Sequence, residues 1–141
     1  LYERRPQYIV FAGLVFQPMD TPLMDALAPA NLKTRYTFAY YSTDELYKER
    51  PEPVILTNVL PDEINTYVRE FSGAVVDEIN GKKITRLKEV QAALEAETPG
   101  DFVVIKLLGE GRPVILGKKQ AAAAQPRILE KYSIPSPAYV E

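Results

Sequence analysis

Hydrophobic and polar positions divide the chain into short apolar runs separated by polar or proline-rich connections. The run from Tyr8 to Phe16 has the pattern of a buried strand, but Ala12 and Gly13 interrupt it before Leu14 resumes it. An isolated glycine in a strand usually marks a bulge or a sharp bend, or a place where another group approaches the backbone. The pattern leaves both explanations open.

Further strands are predicted where β-branched and aromatic residues cluster between turn signals. Asn80-Gly81 is a preferred dipeptide for a two-residue hairpin turn, so residues 82–84 should pair with the strand that ends before Asn80. Gly109 and Gly111 lie between two apolar runs and predict a second hairpin. The other predicted strands cover residues 35–41, 53–60, 73–79 and 102–108, and we expect the last three to share one sheet.

Helices are predicted where apolar residues recur every three or four positions. The clearest case is residues 85–97, where Leu87, Val90 and Ala93 or Leu94 follow one face and Thr85 is a candidate N-cap. Shorter helical patterns occupy residues 18–29 and 61–68, and residues 120–141 combine a helix-prone segment with a proline-rich tail.

Strands without regular β–α alternation, combined with one well-defined helix, indicate the α+β class. We expect a partly open β-barrel of five to six strands with two to three helices. At 141 residues the chain suits a single domain with decorations. It begins at Leu1 rather than methionine and shows no secretion signal, so we expect a piece of a longer protein.

The composition excludes several kinds of chemistry. The chain has 17 basic and 19 acidic residues, which gives no electrostatic reason to expect nucleic acid as a partner. It contains no cysteine and no histidine, so disulfides, thiol catalysis, serine–histidine triads and histidine-ligated zinc are excluded. No apolar run approaches the ~20 residues of a membrane span. We therefore expect a domain that binds rather than catalyses, with no metal or cofactor.

A resemblance to a known family rests on the middle of the chain. The strand "VILTNVLP" at 54–61, a short helix, the hairpin "VVDEINGKKI" at 75–84 and the helix at 85–97 resemble a PDZ domain of an HtrA/Deg serine protease. Two features differ from the family pattern. Of the usual glycine pair and aspartate before the central strand only Gly73 is kept, with Ala74 in place of the aspartate, and the insert after Pro18 is longer than in a minimal PDZ domain.

The resemblance also suggests boundaries. It spans residues 7–119, with an insert at about 18–50, and leaves 120–141 as a C-terminal helix and proline-rich extension. The insert and the segment Ile128–Ser136 resemble the second PDZ domain of plant-type Deg proteases and their bacterial relatives.

This family resemblance implies a peptide-binding site at the interrupted strand. Backbone N–H groups at Phe11–Leu14 would cradle a terminal carboxylate, and Gly13 would leave room for it. The strand that follows would have one free edge for peptide addition, and the helix at 85–97 would form the opposite wall. A β-branched residue at position 13 would then weaken binding more than folding. The implied peptide-binding residues are Phe11, Ala12, Gly13, Leu14, Val15, Phe16, Leu87, Val90, Gln91 and Leu94.

The resemblance implies a non-catalytic domain that binds peptide C-termini or neighbouring subunits by strand addition and so regulates proteolysis in protein quality control. The protease domain of the parent is a further expected partner. One alternative is an oligomerisation element whose groove is blocked or self-occupied, for which the apolar insert is a candidate. Another is a small-molecule-binding β-barrel. The sequence does not choose between a bacterial envelope, a cytoplasm and a plant organelle.

Overall fold

A computed structural model describes residues 5–19 and 50–141 of the chain. Within these residues it contains eight strands and three helices. They are β1 (Tyr8–Phe11), β2 (Leu14–Pro18), β3 (Val54–Val59), a 3-10 helix (Glu63–Phe71), β4 (Val76–Ile79), β5 (Lys82–Lys83), α1 (Leu87–Glu95), β6 (Phe102–Leu107), β7 (Val114–Gly117), α2 (Lys118–Lys131) and β8 (Ala138–Tyr139).

The strands form two antiparallel sheets with the orders β3-β2-β1-β8 and β5-β4-β6-β7. This α+β arrangement confirms the predicted class, and the sheets do not close into a barrel. The expectation that residues 53–60 share a sheet with 73–79 and 102–108 is wrong. β3 lies in the first sheet, and the segment before β4 joins it through an isolated bridge between Ile55 and Val75 and hydrogen bonds with Leu56.

The larger of two hydrophobic clusters lies between the sheets and the helices. Phe16 of β2, Leu56 of β3, Leu87 of α1 and Ile105 of β6 all belong to it and are almost fully buried. Helix α2 adds Ala121 to the same cluster. The C-terminal helix therefore packs on the body of the domain, and β8 places the tail in the first sheet.

Two of the hairpin turns in the described residues have positive φ values at both central positions. Asn80 and Gly81, which join β4 to β5, have φ values of 50° and 81°, as the sequence predicts for this turn. Ala12 and Gly13 have φ values of 50° and 87° and join β1 to β2. The interrupted strand is thus a hairpin of two antiparallel strands, and the bend explanation of the glycine is correct.

Helix bounds differ from the sequence prediction at their ends. Arg86, not Thr85, is the N-cap of α1, because the Thr85 hydroxyl donates instead to the Glu89 carboxylate over 2.7 Å. Burial favours a raised pKa for Glu89, but hydrogen bonds from Thr85 and Arg86 outweigh it and lower the pKa.

The other predicted helices have mixed outcomes. The helix predicted at 61–68 is a 3-10 helix two residues later, capped by Asp62. The C-terminal helix continues through Pro126. The predicted strand at 35–41, and the predicted helix at 18–29 from residue 20 onward, lie outside the described residues.

Candidate peptide-binding site

The turn at Ala12-Gly13 is packed against the interior of the domain. The buried Asn65 side chain donates from Nδ2 to the carbonyl oxygens of Ala12 and Leu60, each over 2.9 Å. A β-carbon on Gly13 would overlap Nδ2 of Asn65 and lie 2.6 Å from the Leu60 oxygen. The space beside Gly13 is therefore filled by the protein itself, and the expectation that it is left for a ligand is wrong.

The backbone groups of the turn are bonded within the chain. The Ala12 N–H donates to Oε1 of Gln125 over 2.7 Å. The Gly13 carbonyl accepts from the Leu60 N–H over 2.7 Å. An anion-binding nest needs inward N–H groups without other partners. The N–H of Ala12 has such a partner already, in a carboxamide oxygen from α2.

Both edges of β2 are paired with strands of the same chain. Phe16 lies opposite Ile9 of β1 on one side and opposite Leu56 of β3 on the other. The expectation that residues 14–17 have a free edge is therefore wrong. The edge that a peptide would use is occupied by β1.

Strand β1 fills one edge of β2. It runs antiparallel to β2, and its last residue, Phe11, ends at the Ala12-Gly13 turn. Helix α1 packs against both β1 and β2. Ile9 is buried in the core and Phe11 packs against it. Since side chains two apart share a face of a strand, β1 directs both residues toward the core and α1.

The other predicted site residues divide into two groups. Leu14 and Phe16 are fully buried in β2, as are Leu87 and Val90 in α1, and all four belong to the core cluster. Val15 of β2 and Gln91 and Leu94 of α1 are half-buried. The structure thus packs α1 against both β2 and β1.

The outer edge of β1 is covered by the C-terminal segment. β8 pairs with Tyr8 and Ile9, and the Val10 N–H donates to the Pro137 carbonyl over 2.7 Å. The Tyr8 hydroxyl donates to the Ser136 carbonyl over 2.7 Å. β1 is therefore an internal strand of its sheet.

Helix α2 is attached to the rest of the domain by an ion pair. The Arg127 guanidinium donates to both carboxylate oxygens of Asp62, over 3.0 and 2.8 Å. The hydrogen bond from Arg127 is the main reason why the pKa of Asp62 falls to about 2. The Tyr132 hydroxyl donates to the Pro61 carbonyl over 2.6 Å, which adds a second link at the same place.

Comparison with known families assigns the fold. A family model described as "PDZ domain" matches residues 1–139. The chain is a PDZ domain.

The PDZ domain is similar to curated Do-like proteases of Arabidopsis thaliana. It is 29% identical over 135 residues to "Protease Do-like 4, mitochondrial". This alignment covers 96% of this chain but only 23% of that protein. "Putative protease Do-like 12, mitochondrial" matches with the same identity and coverage. "Protease Do-like 2, chloroplastic" is 25% identical over 138 residues. The chain thus spans less than a quarter of the length of these relatives.

Three features of the site were not predicted from the sequence. The pairing of β1 with β2 had a usable signal, because two apolar runs separated by a dipeptide ending in glycine favour a hairpin. Asn65 and Gln125 had none, since they act on residues that lie 53 and 113 positions away.

The part of the PDZ domain that the structure describes lacks two other features. None of its helices is long and apolar enough to cross a membrane. Within the same residues, no three acidic side chains come together as a metal site would need.

Proposed function

We propose that this PDZ domain is a non-catalytic assembly element of a Do-like serine protease, in which β1 acts as a built-in ligand of the peptide groove. The observation that supports it is the pairing of β1 with the edge of β2 next to α1. An extended peptide binds such a domain by adding to that edge. With the edge filled by the chain itself, peptide ends of other proteins are not captured in this state.

Contacts with other parts of the protease then use another surface. Phe102 of β6 and Ile115 of β7 are 58% and 45% exposed, and Tyr67 of the 3-10 helix beside them is 51% exposed. The Tyr67 hydroxyl donates to the Ile115 carbonyl, so the 3-10 helix lies beside β7. Exposed aromatic and aliphatic groups of this kind favour contacts between proteins. The protease domain and neighbouring subunits are the partners that we propose for this surface.

A peptide titration tests the proposal. The probe is a labelled peptide with the sequence of residues 5–11, Arg-Pro-Gln-Tyr-Ile-Val-Phe, with a free carboxylate at Phe. Since β1 carries the same sequence covalently, it is present at a high effective concentration and excludes the probe. We expect no saturation of fluorescence anisotropy up to about 1 mM domain, which corresponds to less than about 4 kcal/mol of binding.

The same peptide with an amidated C-terminus is the control for carboxylate recognition. Saturable binding of the free acid at micromolar concentrations, with loss of binding on amidation, would contradict the proposal. That result would support direct peptide capture, the other function expected from the sequence.

A further inference from the structure

Gln125 of α2 contacts β1 and the turn that follows it through both polar atoms of its side chain. Oε1 accepts from the Ala12 N–H over 2.7 Å, and Nε2 donates to the Val10 carbonyl over 2.8 Å. The Val10 carbonyl points away from β2, because the Val10 N–H donates to Pro137 on that side and a residue of an antiparallel strand directs its N–H and C=O to the same side. The carboxamide therefore supplies the donor and acceptor that a neighbouring strand would otherwise supply.

The Gln125 contact lies where backbone hydrogen bonds to the outer edge of β1 end. β8 pairs with Tyr8 and Ile9, and the Pro137 carbonyl meets the Val10 N–H. Among the described residues, the hydrogen-bond partner of the Val10 carbonyl and of the Ala12 N–H is the Gln125 side chain. The half of β1 nearest the turn is thus held from outside by one side chain.

The pairing between β1 and β2 is short. It consists of three residue pairs, Ile9 with Phe16, Val10 with Val15, and Phe11 with Leu14. Ile9 and Phe11 add burial in and against the core. A peptide with apolar side chains at its last and third-last positions would restore both the hydrogen bonds and this burial.

We propose that Gln125 is a latch that holds β1 on β2, and that opening it makes the β2 edge available to an extended peptide with a free C-terminus and apolar last and third-last residues. The inference rests on the proposed function, in which β1 fills a peptide edge. It adds a means of release, since a movement of α2 would withdraw both hydrogen bonds at once.

The test compares the domain with its Gln125→Met variant, which keeps the side-chain length and removes both hydrogen bonds. Gln120→Met is the matched control on the exposed side of the same helix. The probe is the labelled peptide of residues 5–11. We expect Gln125→Met to bind it at least tenfold more tightly than the parent domain does, and the Ala12 amide to exchange its hydrogen at least tenfold faster. Gln120→Met should match the parent in both measurements.

A cysteine pair shows whether the peptide takes the place of β1. The chain contains no cysteine, and Val10 lies directly opposite Val15. In Gln125→Met combined with Val10→Cys and Val15→Cys, oxidation should abolish peptide binding and reduction should restore it. A purely structural role of Gln125 would lower stability without this reversible block.

Each outcome separates the latch from the proposed function. If the parent domain itself binds the peptide tightly, the proposed function fails. If Gln125→Met is folded, binds no peptide and keeps slow Ala12 exchange, the latch is overturned while the filled edge stands. Should Gln125→Met be unfolded at 25 °C, Gln125→Glu replaces it, because its carboxylate still accepts from Ala12 but has no donor for Val10. Absence of peptide binding by this folded variant overturns the latch equally.

Discussion

The side-chain amide of Asn65 occupies the space beside the α-carbon of Gly13. Gly13→Ala should therefore destabilise the domain in two ways. Its φ of 87° costs an L-residue about 1–2 kcal/mol, and the new methyl group costs about 1–3 kcal/mol more through overlap with Asn65 and Leu60. Chemical denaturation measures the sum.

Gly81→Ala is the control for this prediction. Gly81 has a similar φ of 81°, but nothing lies within 4 Å of a β-carbon there. Gly81→Ala should lower the free energy of unfolding only by the cost of the positive φ. Equal losses at the two positions would show that the Asn65 contact does not limit position 13.

A turn can be predicted from the sequence when its own residues favour it, but not when distant residues hold it. Asn80-Gly81 carries its own conformational preference, so the β4–β5 hairpin follows from local sequence. Alanine at position 12 has no such preference, yet it has a φ of 50°. Asn65 and Gln125 bond its carbonyl and its N–H from distant parts of the chain. The hairpin, and with it the filled edge, therefore depends on tertiary contacts that local patterns do not contain.

The helix that was predicted to form one wall of a peptide groove could also be predicted only in part. The periodicity of Leu87 and Val90 correctly places α1, but it does not distinguish a groove from a core. Both residues are fully buried because β1 and β2 pack beneath the helix.

The ion pair between Asp62 and Arg127 makes stability depend on pH in the acid range. The pKa of Asp62 is about 2 in the folded protein, below its ordinary value of 3.8. The unfolded state thus binds more protons between these values, and stability is lost as the pH falls from about 4 to about 2. Asp62→Asn should lose about 1 kcal/mol at pH 7, seen as a fall of about 3 °C in Tm.

Asparagine is an equally good N-cap, so this substitution isolates the charge from the capping of the 3-10 helix. The difference in Tm between the parent and Asp62→Asn should shrink toward zero at pH 2. Glu70→Gln is the control, because its partner Arg112 is highly exposed and the pair contributes little. A difference in Tm between the parent and Asp62→Asn that stays constant from pH 7 to pH 2 would show that the ion pair with Arg127 does not cause the pH dependence.

The exposed apolar surface of β6 and β7 should matter for assembly and little for folding. Phe102→Ser is expected to change the stability of the domain by less than about 0.5 kcal/mol, because the side chain is 58% exposed. In the full-length parent protease, the same substitution should lower the mass measured by light scattering.

Lys106→Ser provides the comparison for this surface. Lys106 lies on β6 an even number of residues from Phe102, hence on the same face, and it is also exposed. It should leave the mass of the parent unchanged. An unchanged mass with Phe102→Ser would exclude this surface as an assembly contact.

The central claim is that β1 fills the peptide edge of β2, and cross-linking tests it most directly. Val10 and Val15 face each other with the Val10 backbone groups directed away from β2, which is the pair type with the closer α-carbons. With Val10→Cys and Val15→Cys in the otherwise unchanged domain, mild oxidation without denaturant should form the disulfide in nearly all molecules, with native near-ultraviolet circular dichroism retained. Two unpaired thiols in the folded protein, together with saturable binding of the residue 5–11 peptide, would contradict the account.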